Sequence, residues 1–386
     1  MKKIAKLSLV AAIAVSGFTS ANATSLEEAI KGVDISGTAA YRYDDRSTDN
    51  DTGTGFSNTS NNSYKLAVNL KSAINDDLTF NTRTIVGKDQ GANNDMAVLN
   101  TSGADANADV TVSHVNFAYT GLANTTVIAG KQAVPSPFAV QADAAGDEDT
   151  GTGLTAVTNV GPVTVAATYL NQTNLATNGA DLAGLGLMGN AGPVALDAWY
   201  LDIAEVTGGD NGHQAYTVGA ESAIEMVKLY ARYSSIAHDG NNIDTESLWK
   251  VGAKAKVGIV SASLDYGQTN DVNVVTTGMG VTGDADADVN LQAWALNLNA
   301  KDDASLVKAS LGVDLLSNLN LSATYADLSV DSAANSDASE YYGQLTYKMG
   351  KNFMTYARIG QVEYDVASGA ASKDNTRGRL HVQYTF

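Results

Sequence analysis

Apolar and polar residues alternate with period two along most of this chain, as they do in strands with one greasy and one wet face. In 33–43, Ile35, Gly37, Ala39, Tyr41 and Tyr43 share one face, and Asp34, Ser36, Thr38 and Arg42 share the other. In 63–74, Tyr64, Leu66, Val68 and Leu70 alternate with Lys65, Asn69 and Lys71. In 78–86, Leu78, Phe80, Thr82, Thr84 and Val86 alternate with Asn81 and Arg83. A further pair is predicted at 114–119 and 125–134. The last segment, 376–386, sets Leu380, Val382, Tyr384 and Phe386 against Arg377, Arg379, His381 and Gln383, and it stops on an aromatic.

Between these segments the links fall into two kinds. Short turns occur at Asn75-Asp76-Asp77, Gly161-Pro162, Gly192-Pro193, Val257-Gly258 and 349–352. Long polar links occupy 44–62, 89–109, 135–152, 172–182, 203–212, 235–247, 268–287, 329–339 and 365–375. Short turns at one end and long loops at the other predict an up-and-down transmembrane barrel. A terminal aromatic suits the closing strand of such a barrel, so Tyr384 and Phe386 are its candidate assembly residues. Counting back from Phe386 gives eighteen antiparallel strands, an even number. One strand-like piece is left over, Val289 to Asn299, and is expected to belong to a long seventh loop (268–304) folded over or into the pore mouth.

Charge tests the phasing, since Arg or Lys facing mid-membrane lipid costs about 2–4 kcal/mol. By this phasing the strand bases, among them Arg42, Lys65, Lys71, Arg83, Lys131, Lys250, Lys308, Arg358, Arg377 and Arg379, fall on wet faces. None sits amid a greasy face.

The first 23 residues read as a secretory signal peptide. Lys2, Lys3 and Lys6 precede an apolar run, and Ala21-Asn22-Ala23 is an A-x-A cleavage site. Residues 24–386 then form one barrel domain. The mature start, Ser25 to Ile30, carries a capping box and predicts a turn or two of helix. The whole chain carries a net −18, and losing those three lysines takes it to −21, which repels nucleic acid. There is no cysteine, hence no disulfide scaffold or thiolate metal site. No run after the signal approaches the length of a membrane helix, so only a closed barrel could span lipid.

No catalytic motif is present. The four histidines, His114, His213, His238 and His381, lack metal-ligand spacing and read as solvated residues. The most informative loop is the third, 135–152, which carries Asp143, Asp147, Glu148 and Asp149. Folded inward, it would face a basic wall drawn from Arg42, Lys65, Lys71, Arg83, Lys131, Arg377 and Arg379. Acids opposite bases across a narrow aqueous gap make a transverse field that filters ions by charge. Two acidic runs, Asp105-Ala-Asn107-Ala-Asp109 and Asp284-Ala-Asp286-Ala-Asp288, have calcium-like spacing but lack the Gly and Glu of a calcium loop. No metal or cofactor site is expected beyond weak calcium or other divalent binding there.

The segment ANATSLEEAIKGVDISGTAAYRYDD (21–45) resembles the start of the Campylobacter-type major outer membrane porins. TTVIAGKQ (125–132), the acidic loop with GTG (151–153), YKMGKN (347–352) and the aromatic end are also similar to that family. The resemblance implies an eighteen-stranded homotrimer with mild cation preference and a third loop lining the constriction. The expected function is passive outer-membrane diffusion of ions and small hydrophilic solutes, in contact with outer-membrane lipid and lipopolysaccharide. The alternatives are a substrate-specific channel, favoured by a contiguous basic or aromatic ladder in the lumen, and an adhesin or structural barrel without an open pore.

Overall fold

The computed structural model describes residues 32–48, 57–87, 96–99, 109–175, 179–205, 212–239, 244–272, 286–331, 337–365 and 374–386. The signal segment, the helical turn at 25–30 and residues 105–108 and 284–285 of the acidic runs lie outside the described residues.

Nineteen strands run in chain order: β1 (Val33–Thr48), β2 (Ser57–Asn75), β3 (Leu78–Gly87), β4 (Ala97–Leu99), β5 (Asp109–Leu122), β6 (Thr125–Ala133), β7 (Thr150–Val160), β8 (Val163–Thr173), β9 (Leu182–Ala191), β10 (Val194–Ile203), β11 (His213–Ile224), β12 (Val227–His238), β13 (Glu246–Val257), β14 (Val260–Thr269), β15 (Ala304–Leu316), β16 (Leu319–Val330), β17 (Asp337–Lys348), β18 (Phe353–Asp365) and β19 (Asn375–Thr385). All but β4 are staves, each antiparallel to the next, and β19 pairs with β1 to close an eighteen-stranded barrel. β4 is a three-residue addition from the second long loop that pairs with β2 at Asn62–Tyr64, beyond the end of β3.

The alternation decides the faces. Residues such as Ile35, Phe117, Leu154, Val218, Val251 and Leu264 form an exposed apolar band around the outside, which only lipid can cover. The two Gly-Pro turns join their strands tightly because Gly161 and Gly192 both adopt φ 61, a left-handed conformation that costs glycine nothing.

The strands outrun their alternation. The link at 44–62 was expected to be loop, yet β1 continues to Thr48 and β2 begins at Ser57. Above the lipid both faces meet water, so no apolar period marks the extension. Polar contacts carry it instead: Arg46 Nε and Thr48 Oγ1 both donate to Asn375 Oδ1, at 2.6 and 2.7 Å.

The inner face is not uniformly wet. Leu170, Leu182, Leu201, Ile203, Ile236, Leu248, Leu306 and Leu328 point inward and are buried by two loops. One loop supplies Val134 and Phe138, the other Val289, Leu291, Leu296 and Leu298. Residues 289–299 are thus not a stave, in keeping with their expected place in the seventh loop. They carry only an isolated bridge between Gln292 and Asn297.

Candidate functional site

The third loop leaves β6 at Val134 and returns at Asp149, where Val134 N donates to Asp149 O (2.9 Å) and Asp149 N to Val140 O (2.7 Å). Between them Glu148 is fully buried. Arg83 of β3 grips it with two bonds, Nε to Oε2 at 2.8 Å and Nη2 to Oε1 at 2.5 Å. Lys65 of β2 lies 3.2 Å from Oε1, and its ammonium also donates to the carbonyls of Asp143 (2.9 Å) and Gly146 (2.8 Å). Ser113 Oγ donates to Oε2 at 3.2 Å, and Arg83 Nη1 reaches Asn69 Oδ1 at 2.9 Å. Burial pushes the Glu148 carboxyl up, but bonding and attraction from Arg83 and Lys65 outweigh it and hold it below the usual carboxylate range.

A β-bulge makes this site possible. Arg83 pairs with His114 and Thr84 with Val112, leaving Ser113 extra. Val112 and Val115 stay on the exposed apolar face, at 42% and 41%. Ser113 and His114 are thereby both freed for the inner side, the usual way a bulge re-aims a side chain. The two adjacent polar residues between Val112 and Val115 are the signal in the sequence.

The four expected acids separate into different roles. Glu148 is consumed by the wall, and Asp149 Oδ2 by Val140 N at 2.7 Å. Asp143 Oδ1 accepts from Ala145 N at 2.8 Å, while its Oδ2 borders Gly146. A Cβ built on Gly146 would lie 2.6 Å from Asp143 Oδ2 and 3.7 Å from Asp286 Oδ2, so acids of the third and seventh loops converge. Asp147 lies in the same turn.

Part of the expected basic set is brought together by register. Register places Arg42 beside His381, Asp44 beside Arg379, Arg46 beside Arg377, and Arg358 beside Arg379. Five guanidiniums thus form one inner strip across β1, β19 and β18. Arg379 Nε donates to Asp44 Oδ1 at 2.5 Å. Lys71 holds the register position opposite Asp34. Lys131 falls on the other face and leaves the wall. Its register partners are Val115 and Thr152, it shares a side with Val127 and Ala129, and its ammonium donates to Val112 O at 2.8 Å.

The seventh loop is fastened to the same inner face. Glu340 accepts from Ala295 N (2.9 and 3.0 Å) and Leu296 N (3.1 Å). Lys308 donates to Gln292 O (2.8 Å) and Lys250 to Asn290 O (2.9 Å). Asp288 pairs with Arg232 (3.2 Å) and Lys250 (3.5 Å), so one acid of the calcium-like run is held by bases. Trp294 meets the Tyr342 ring edge-on at 5.7 Å, with the guanidiniums of Arg358 and Arg379 5.0 and 5.6 Å from its centre. Arg358 also lies over Tyr342 and Tyr356, and its Nε donates to Gln344 Oε1 at 2.7 Å.

Among the described residues no group of three His, Cys, Asp or Glu side chains is arranged to hold a metal ion. Two histidines that spacing left isolated are neighbours across β11 and β12. The rings of His213 and His238 are 5.6 Å apart, both buried, with Glu246 Oε1 3.1 Å from His238 Nε2.

Comparison with known proteins agrees with this architecture. Among solved structures, Acinetobacter baumannii OccAB3 is similar, with 14% identity, TM-score 0.65, and coverage of 92% of this chain and 99% of that one. Pseudomonas aeruginosa OccK8 (OprE) shows 13% identity and TM-score 0.66 over 92% and 98%. A BenF-like porin from Pseudomonas fluorescens Pf-5 shows 12% identity and TM-score 0.67 over 92% and 99%. At these identities the likeness is one of fold. No curated protein matches by sequence. The family described as Campylobacter major outer membrane protein matches residues 1–386, so the chain belongs to that family and is a non-enzymatic porin of the outer membrane.

Proposed function

We propose that this porin passes ions and small hydrophilic solutes by passive diffusion through a constriction built by its third loop. The observation that carries this is the grip of Lys65 and Arg83 on Glu148, which fastens the loop to residues opposite the lipid-facing band. In this reading Asp143, Asp147 and Asp286 are the acidic side of the constriction and the arginine strip its basic side, which together set up a transverse field. The convergence of the Asp143 and Asp286 carboxylates at Gly146, with arginines of the strip partly engaged by Asp44 and Gln344, supports a mild cation preference. Planar-bilayer recording tests this. The expected result is large, stepwise, non-saturating conductance with reversal potentials on the cation side. Absence of conductance would leave the adhesin or structural-barrel reading.

A second reading, a substrate-specific channel, is favoured by the strip of Arg42, Arg46, Arg358, Arg377 and Arg379 beside Trp294. A small carboxylate could pass along it from one guanidinium to the next. Saturable block of the ion current by one carboxylate solute would establish that reading.

We infer cleavage after Ala23, which N-terminal sequencing of the purified protein would check. We also propose a homotrimer, in keeping with the resemblance, surrounded by lipopolysaccharide.

A further inference from the structure

The inner wall changes character just below the seventh loop. One register row across β13 to β17 is Gly252, Asp265, Lys308, Ala326 and Glu340, and its Lys308 and Glu340 fasten that loop. Two residues nearer the short turns the row reads Lys254, Ser263, Ser310, Thr324 and Tyr342. The next reads Lys256, Ser261, Gly312, Ser322 and Gln344, with Arg358 following on β18. On β14, β15 and β16 these two rows hold only serine, threonine and glycine. Long side chains stand at either end, so the wall is hollowed between them into a recess of about 530 Å³. Met226, in the turn between β11 and β12, also lines it, which places the recess at the periplasmic end of the lumen. Trp294 of the seventh loop stands at its other margin, against Tyr342 and Arg358.

The recess is positive inside a negative chain. Among the described residues that line it are Lys254, Lys256 and Arg358 and no acid, although the whole chain carries a net −18. Lys228, the register partner of Lys254, pairs with Glu221 at 2.7 Å, and Lys256 pairs with Asp314 at 2.6 Å. Between them Lys254 lies over the Tyr230 ring at 5.2 Å, with no acid partner among the described residues. A ring face leaves a cation's N–H donors largely free. The floor supplies hydroxyls in line across neighbouring strands. Ser310 Oγ and Thr324 Oγ1 are 2.9 Å apart, and Ser261 Oγ donates to Gly312 O at 3.4 Å.

We propose that this recess is a transient binding site for a small phosphorylated sugar, a role that rests on the open pore proposed above for access. The phosphate lies beside Lys254, whose register partner Ser263 and neighbour Ser261 add donors. A phosphate offers more acceptor oxygens than a carboxylate, which suits an ammonium set among hydroxyls. The sugar hydroxyls meet Ser310, Ser322 and Thr324, and Gln344 bounds the far end. From β14 to β16 is two strand spacings, about 10 Å, the span of a single sugar ring with its phosphate.

Saturation-transfer NMR on the purified protein in detergent micelles tests this, with glucose 6-phosphate as the probe. A saturable signal is expected. Glucose on the native protein, and glucose 6-phosphate on Lys254→Gln, should each bind about tenfold more weakly, the loss of one charge-assisted hydrogen bond. Ser310→Leu fills the recess without touching a charge and should abolish the signal; Ser263→Leu does the same from the next strand, should the first variant fail to fold. Equal binding of glucose and glucose 6-phosphate, or an undiminished signal in a folded leucine variant, would overturn the proposal. Bilayer recording of the same preparation reads the pore separately. Conductance without saturable binding removes the recess and leaves the pore; binding without conductance does the reverse.

Discussion

Phe386 and Gly37 close the barrel on each other. Gly37 N donates to Phe386 O at 2.8 Å, and Phe386 N returns a bond to Gly37 O at 3.0 Å. The ring covers the glycine so closely that a Cβ there would sit 2.6 Å from Phe386 Cζ and collide with the Ala67 carbonyl oxygen. Aromatic cover of a strand glycine is a known device for pinning register.

Gly37→Val should therefore displace the Phe386 ring and loosen closure. Phe386→Ala removes the ring and keeps the backbone pair, losing about 1.5–3 kcal/mol of burial at most. Heat-modifiability on gels should show unfolding several degrees lower for both, with Gly37→Val the more severe. Unchanged mobility in Gly37→Val would contradict the contact.

Glu148→Gln should leave Lys65 and Arg83 buried without a counter-charge, at a cost of about 3–5 kcal/mol. The check is the urea midpoint together with single-channel recording. The third loop, released from β2 and β3, should give larger and noisier conductance levels.

Acid should release the same loop. The folded pKa of Glu148 lies below its unfolded value, so its contribution is full above the unfolded value of about 4.3 and disappears as pH falls through the lower folded value. Conductance of the native protein should hold steady from pH 7 to about 4.5 and change below that range. Glu148→Gln should show no such acid step.

Glu340→Ala should free the tip of the seventh loop, since its carboxylate holds the Ala295 and Leu296 amides. Trp294 would leave the faces of Arg358 and Arg379. A shift in tryptophan emission and a higher conductance are expected, while circular dichroism should show the barrel intact.

Asp143→Asn with Asp286→Asn removes two converging carboxylates and should move the reversal potential toward anions. Arg358→Gln should move it the opposite way. Equal potentials in all three proteins would remove these residues from the selectivity mechanism.

The staves were legible because lipid enforces one apolar residue in two, and a one-residue slip would expose the wrong face. The inward placement of Lys65 and Arg83 followed from that phase. Lys131 did not, because Gly130-Lys131-Gln132 sets two polar residues side by side and hides the phase. Ser113 stands outside the alternation for the same reason, its bulge marked only by two adjacent polar residues that break period two. The seventh loop's apolar residues looked like a stave because burial against an inner wall leaves the same signature as burial against lipid. His213 and His238 met only through the pairing of β11 with β12, which no spacing along the chain reveals.

The larger apolar cluster under the two loops takes its strand residues from β8–β13 and β15–β18, and β1 contributes only Ala40, in a small separate cluster with Met96 and Ala145. On the proposed function, the water-filled part of the barrel would then lie toward the seam where the two chain ends meet. The strands that complete the cylinder would also be the wall along which solutes travel. In such a molecule, faithful closure and permeability become a single trait, and an error in pairing the last strand with the first would be felt as leakage.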